Sequence, residues 1–109
     1  MIRRTNMYLN KNEEEIIDRF LGNLDEYDSQ EMKLIWRDVG TITARFDTCF
    51  ENDNELDESD AEYEEFESFV FEVICISGDP PVYITEDNYF CIDYHNFPDE
   101  ILVDGIKIN

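Results

Sequence analysis

Residues 63–77, YEEFESFVFEVICIS, satisfy two periods at once. Tyr63, Phe66, Phe69, Val70, Val73 and Ile74 recur as one face of a helix, yet FVFEVICI is dense in the aromatic and β-branched residues that suit a pleated strand. Ser59 with Glu62 three positions on has the form of a capping box. The pattern predicts a short helix over residues 60–68 passing into a strand over residues 69–77, with a wholly extended segment as the alternative.

Upstream the signals are simpler. In TITARFDTCF, residues 41–50, Ile42, Ala44, Phe46, Thr48 and Phe50 alternate with Thr41, Thr43, Arg45, Asp47 and Cys49, as a half-buried strand requires. MKLIW before it reads as a short strand, and Gly40 separates the two. From Asn12 the period becomes helical: Ile16, Ile17, Phe20, Leu21 and Leu24 share one face. Asn12 caps in this reading, Glu15 completes the box, and Glu13 and Glu14 favour the positive end of the helix dipole. Gly22 weakens the helix interior, whose end is expected between Leu24 and Tyr27.

Downstream, SGDPP breaks the chain, and VYIT and YFCIDY flank the polar EDN as a hairpin. In ILV-DG-IKI the Asp-Gly pair suits a two-residue type I′ turn. The expected fold is α+β, an N-terminal helix packed on a mostly antiparallel sheet of about 4–6 strands with a hairpin-rich C-terminal half. One small acidic domain spans residues 1–109, with residues 1–11 as a flexible arm.

Charge carries the functional argument. The chain has 28 acids against 8 bases, a net charge of -20, where solubility is served by roughly 2–8 charges. The imbalance is local: residues 1–45 hold 9 acids and 7 bases, while residues 46–109 hold 19 acids and only Lys107. Such a molecule is repelled by nucleic acid and anionic lipid and attracted to basic protein surfaces. Within ENDNELDESDAEYEEFE, residues 51–67, ten carboxylates stand without a Lys or Arg. Asp53, Glu55, Asp57, Glu58, Asp60, Glu62, Glu64, Glu65 and Glu67 form the candidate partner-binding row. Charge runs elsewhere commonly serve solubility alone, and a disordered loop would look the same. The spread of acids beyond the run, through Glu72, Asp79, Glu86, Asp87, Asp93, Asp99, Glu100 and Asp104, favours a partner.

Other chemistries find less support. Asp53, Glu55, Asp57 and Glu64 fall at positions 1, 3, 5 and 12 of a calcium loop, but Glu58 occupies the position that needs glycine, so no metal is expected. Cys49, Cys75, Cys91 and His95 lack zinc spacing, and three cysteines make no disulfide framework. Nothing distinctive surrounds the single His or any Cys, which argues against an enzyme, and no cofactor is implied. Trp36, Phe66, Phe69 and Phe71 are read as core, and Tyr63, Tyr89, Tyr94 and Phe97 as apolar anchors inside an acidic rim. MIRRTNMYLNKN lacks an apolar signal core, and no stretch approaches the roughly 20 apolar residues of a membrane span, so a reducing, cytoplasmic setting is expected.

In size and charge the chain is similar to DNA-mimic inhibitors as a class, such as phage anti-CRISPR and anti-restriction proteins. That resemblance implies inhibition of a basic, nucleic-acid-binding enzyme, a nuclease above all, by fixed carboxylates standing in for phosphates. The alternative expectation is an immunity protein that neutralises a cationic toxin; a third is an accessory or assembly module whose charge serves only solubility.

Overall fold

The computed structural model describes residues 11–109. The arm expected over residues 1–11 lies outside the described residues except for Lys11, which is already helical. Helix α1 (Lys11–Tyr27) is followed by β1 (Glu31–Trp36), β2 (Gly40–Asp53), β3 (Glu65–Gly78), β4 (Tyr89–Ile92), β5 (Glu100–Val103) and β6 (Ile106–Lys107). The strands form one sheet in the order β4-β3-β2-β1-β5-β6, and every pairing is antiparallel. This is an α+β fold. Among the described residues no helix is long and apolar enough to cross a membrane.

Helix α1 packs on the sheet through the predicted face: Ile17, Phe20, Leu21 and Leu24 are buried. Ile16, counted on that face from its spacing, is instead exposed at the rim. Asn12 lies inside the helix rather than capping it. Glu13 is the surprise of the first turn. It is fully buried, and its carboxylate accepts the backbone N–H of Glu67 at 2.6 Å. The helix dipole favours an acid here, and the hydrogen bond to β3 draws that acid inward. Gly22 sits on the exposed side, and a methyl group added there meets nothing within 4 Å. Gly22→Ala is therefore expected to stabilise the chain by about 0.5–1 kcal/mol, measured by urea unfolding, because only helix entropy changes.

Rings fill the space between helix and sheet. Phe20 meets Phe69 edge to face at 5.2 Å and Phe97 at 5.5 Å, and Phe71 stacks on Phe90 at 5.5 Å. Trp36 is buried as expected, its indole N–H donating to the Asn96 carbonyl at 2.8 Å.

Strands β2 and β3 form the spine, pairing from Gly40 with Gly78 to Asp53 with Glu65. The helix expected over residues 60–68 does not form: residues 65–68 are strand and residues 58–62 are turns. Extending β3 lets Phe66 and Phe69 enter buried positions while every residue of the lower half of β2 gains a partner, which a helix would forfeit. Two bulges interrupt the ladder. Asp47 is the extra residue on β2 and Ile74 the extra residue on β3. The first reverses the alternation read from TITARFDTCF, so Cys49 packs against the core while Thr48 and Phe50 face solvent.

The C-terminal half follows its turn chemistry only in part. Asp104 and Gly105 have φ of 51° and 80°, as a type I′ turn demands. VYIT, expected as a strand, is not one. Thr85 instead donates its N–H to the Tyr89 carbonyl at 2.8 Å, so the chain turns tightly into β4, and Val82 and Ile84 lean on the core as loop residues.

Candidate functional site

The acidic run caps the β2–β3 hairpin as a loop over residues 54–64, and its aspartates build it. Asp53 Oδ1 accepts the N–H of Glu55 at 2.7 Å, Asp60 Oδ1 that of Glu62 at 2.8 Å, and Asp57 Oδ1 both the N–H of Ser59 at 2.9 Å and its hydroxyl at 2.7 Å. Each is a short acid closing a turn on its own backbone, the habit that keeps Asp out of helix interiors. Asn54 ties the two sides together, donating its amide to the Glu62 carbonyl at 2.7 Å, with its own N–H on the Glu64 carbonyl at 3.3 Å. The Ser59 hydrogen bonds hold the Asp57 carboxyl below its ordinary pKa. The loop is thus a charged object with internal order.

The nine predicted residues separate by role. Glu55, Glu58 and Glu62 are exposed and, among the described residues, face no Lys or Arg. Asp53, Asp57 and Asp60 each use one oxygen to shape the loop. Glu65 is half-buried beside Tyr63, whose phenol is raised above its usual pKa by desolvation and then by the Glu65 charge. Glu67, expected in the row, is instead 5% exposed, with its backbone N–H on the Glu13 carboxylate, because the strand continues through it.

Glu64 fastens the loop to the body. Its Oε2 accepts the Tyr94 hydroxyl at 2.5 Å, and its Oε1 meets His95 Nε2 at 2.6 Å. His95 Nδ1 lies 2.8 Å from Asp93 Oδ1, so the imidazole bridges two carboxylates with its edge on Phe66. Burial pushes the Tyr94 phenol up to about 12, helped by its bond to Glu64. For His95, burial lowers the pKa, but the hydrogen bonds to Asp93 and Glu64 outweigh it and the net direction is upward. With the folded pKa above the unfolded value of 6.5, the bridge stabilises fully below that value and is lost as pH rises through the folded pKa. His95→Gln should therefore destabilise the chain at about pH 5.5 and be nearly neutral at about pH 9, by thermal unfolding at both; equal effects would refute the charged bridge.

Tyr94 and Phe97, expected as anchors, lean on the core, whereas Tyr63 and Tyr89 are half-exposed. Cys75 and Cys91 are exposed and Cys49 is half-buried, and no disulfide joins them. Among the described residues no three His, Cys, Asp or Glu converge as a metal site. The spacing rules gave no sign of the buried Glu13 or of the His95 bridge, whose partners lie 54 and 31 residues away in sequence.

A family model described as "Cognate immunity protein YxxD" matches residues 15–108. The chain belongs to that family. Comparison with curated proteins and with solved structures finds no significant match. Membership in an immunity family favours the toxin-neutralising expectation over nucleic-acid mimicry, and it places a protein partner at the centre of the function.

Proposed function

We propose that this immunity-family chain binds a cationic toxin, most plainly a nuclease, and neutralises it in the cytoplasm as a stoichiometric inhibitor rather than an enzyme. One observation carries the reading: a hairpin tip held by its own hydrogen bonds displays Glu55, Glu58 and Glu62 to solvent with no cation opposite them among the described residues. Exposed like charges cost self-repulsion in the free protein, and a basic partner relieves it. Because the loop is already shaped, its carboxylates meet the partner's Lys and Arg with little ordering cost. Approach is steered by the field of the whole acidic half, and bound carboxylates occupy the cationic surface that a nucleic-acid substrate would need.

The test begins with a pull-down on the purified chain, from nuclease-treated lysate at low salt, eluted by a salt step. The expected result is one basic protein whose expression alone arrests growth and whose co-expression with this chain restores it. A set of basic proteins retained in proportion to their charge, or a captured toxin that stays lethal in the presence of the chain, would overturn the reading and leave solubility as the role of the acids.

A further inference from the structure

Among the described residues, strand β3 is paired on both sides over only part of its length. β4 covers residues 69–72, and Val73 adds a last bond from its N–H to the Asn88 carbonyl at 2.8 Å. Beyond that point β2 continues on one side, and among the described residues nothing pairs with residues 74–78 on the other. The N–H of Asp79 donates to the Val39 carbonyl at 3.0 Å, which fixes the phase of the ladder. Ser77 with Thr41 and Cys75 with Thr43 then exchange bonds across β2, so the N–H and C=O of Ile76 point outward from the sheet.

The side chains there match an unfilled edge. Ile74 is 42% exposed and Ile76 48% exposed, and VICISG, residues 73–78, holds no charge in a chain that is one-third charged. Free edges of this kind are normally blunted by a Lys, a Pro or a covering loop. Here the only charges are at the ends, Glu72 before and Asp79 after. Acids crowd the lower end further: the Tyr89 phenol is raised in pKa first by Glu72 and also by Asp47 and Asp87. Asp79, which follows the edge directly, also lines a groove of about 820 Å³ together with Tyr83 and Tyr89, and Tyr83 is 79% exposed. Aromatic faces beside a carboxylate suit a Lys or Arg side chain.

We infer that the free edge of β3 over residues 74–78 pairs with an extended, Lys/Arg-bearing segment of the toxin, adding a seventh strand to the sheet. This rests on the toxin-binding reading and gives it a second contact surface. Main-chain bonds at Ile76 and burial of Ile74 and Ile76 hold the segment, while Glu72, Asp79 and Asp87 take its cations. A second copy of this chain is the poorer occupant, since it brings another net charge of -20 and the same acids to the same place. The hairpin tip and this edge stand roughly 36 Å apart along β3, at about 3.3 Å per residue, so the tip acts on approach and the edge on retention.

The probe is the toxin recovered by the salt step, inactivated at its own active site, mixed with the full chain. Amide hydrogen exchange should slow at least tenfold at residues 74–78 in the complex. Ile74→Lys and Ile76→Lys, at positions exposed enough to fold, should each speed dissociation at least tenfold with an unchanged melting temperature. If the toxin binds, and loop charge reversal weakens it, while exchange and dissociation at the edge are unaffected, the edge proposal fails and the toxin-binding reading stands. Protection of the same amides in the free chain, with a dimer by sedimentation, would assign the edge to a second copy and overturn the proposal. A chain that binds no toxin at all would sink both.

Discussion

Phe20→Ala is expected to remove about 3–5 kcal/mol of unfolding free energy, read as a drop in the urea midpoint with little change in slope. The ring is fully buried at the centre of the only helix-on-sheet layer among the described residues, touching Phe69, Phe71 and Phe97. Its loss combines the transfer term of a large apolar group with a cavity that rigid neighbours close poorly, since Phe69 and Phe71 sit on a paired strand. A domain of this size is stable by only about 5–15 kcal/mol, so the variant should be partly unfolded near body temperature. Phe20→Leu keeps most of the volume and should recover more than half of the loss. If both variants melt with the wild type, the helix does not hold the core.

Joint reversal of Glu55, Glu58 and Glu62 to Lys should slow association with the toxin by about a hundredfold at low salt, with a smaller effect on dissociation. Those three side chains face solvent without cations opposite them among the described residues, so the fold should persist, and relief of repulsion should leave the melting temperature equal or higher. The aspartates are spared because Asp53, Asp57 and Asp60 close the turns, and replacing them would confuse lost charge with a lost loop shape. Raising salt should shrink the difference between variant and wild type, as the Debye length falls to about 8 Å at physiological ionic strength. Association at the wild-type rate in stopped-flow mixing would show that the tip does not steer the partner.

Local signals carried the parts of this fold that local physics decides. The Ile17, Phe20, Leu21 and Leu24 stripe needs only a period of 3.6, and the Asp104-Gly105 turn needs only two residues with positive φ. Elements decided by distant partners were harder to see. Residues 65–68 are strand because β2 lies beside them, and no property of EFES announces that neighbour. The bulge at Asp47 inverts which side of TITARFDTCF meets the core, and a single extra residue leaves no compositional trace. VYIT has the residues of a strand, but Val82 and Ile84 pack on the core and the Thr85 N–H bonds to the Tyr89 carbonyl, so the segment turns into β4 instead of pairing beside residues 74–78 of β3.

The candidate site divides along the same line. That an acidic segment stood out was plain from its ten carboxylates; that it would sort into shaping aspartates and presenting glutamates follows from side-chain length. An Asp oxygen reaches the N–H two residues ahead, whereas a Glu oxygen overshoots it. Glu67 escaped that logic because β3 continues through it, opposite Glu51, and its backbone N–H bonds to Glu13, 54 residues earlier. That residues 74–78 have no partner on one side among the described residues was hidden for a further reason: an unpaired strand and a paired one are written in the same residues.

The loop over residues 54–64 satisfies its backbone largely within itself, and Glu64 is the principal tether to the rest of the chain. On the proposed reading, recognition at the tip is therefore separable from foldedness. A toxin lineage that altered its basic surface could be followed by exchange of this tip while Phe20, Phe69 and Phe71 stayed as they are. Even doubling the tip's length would cost only about 0.6 kcal/mol in closure entropy. A scaffold arranged this way can diversify its partners at little risk to itself, and a library randomised at Glu55, Glu58 and Glu62 would start from a protein that still folds.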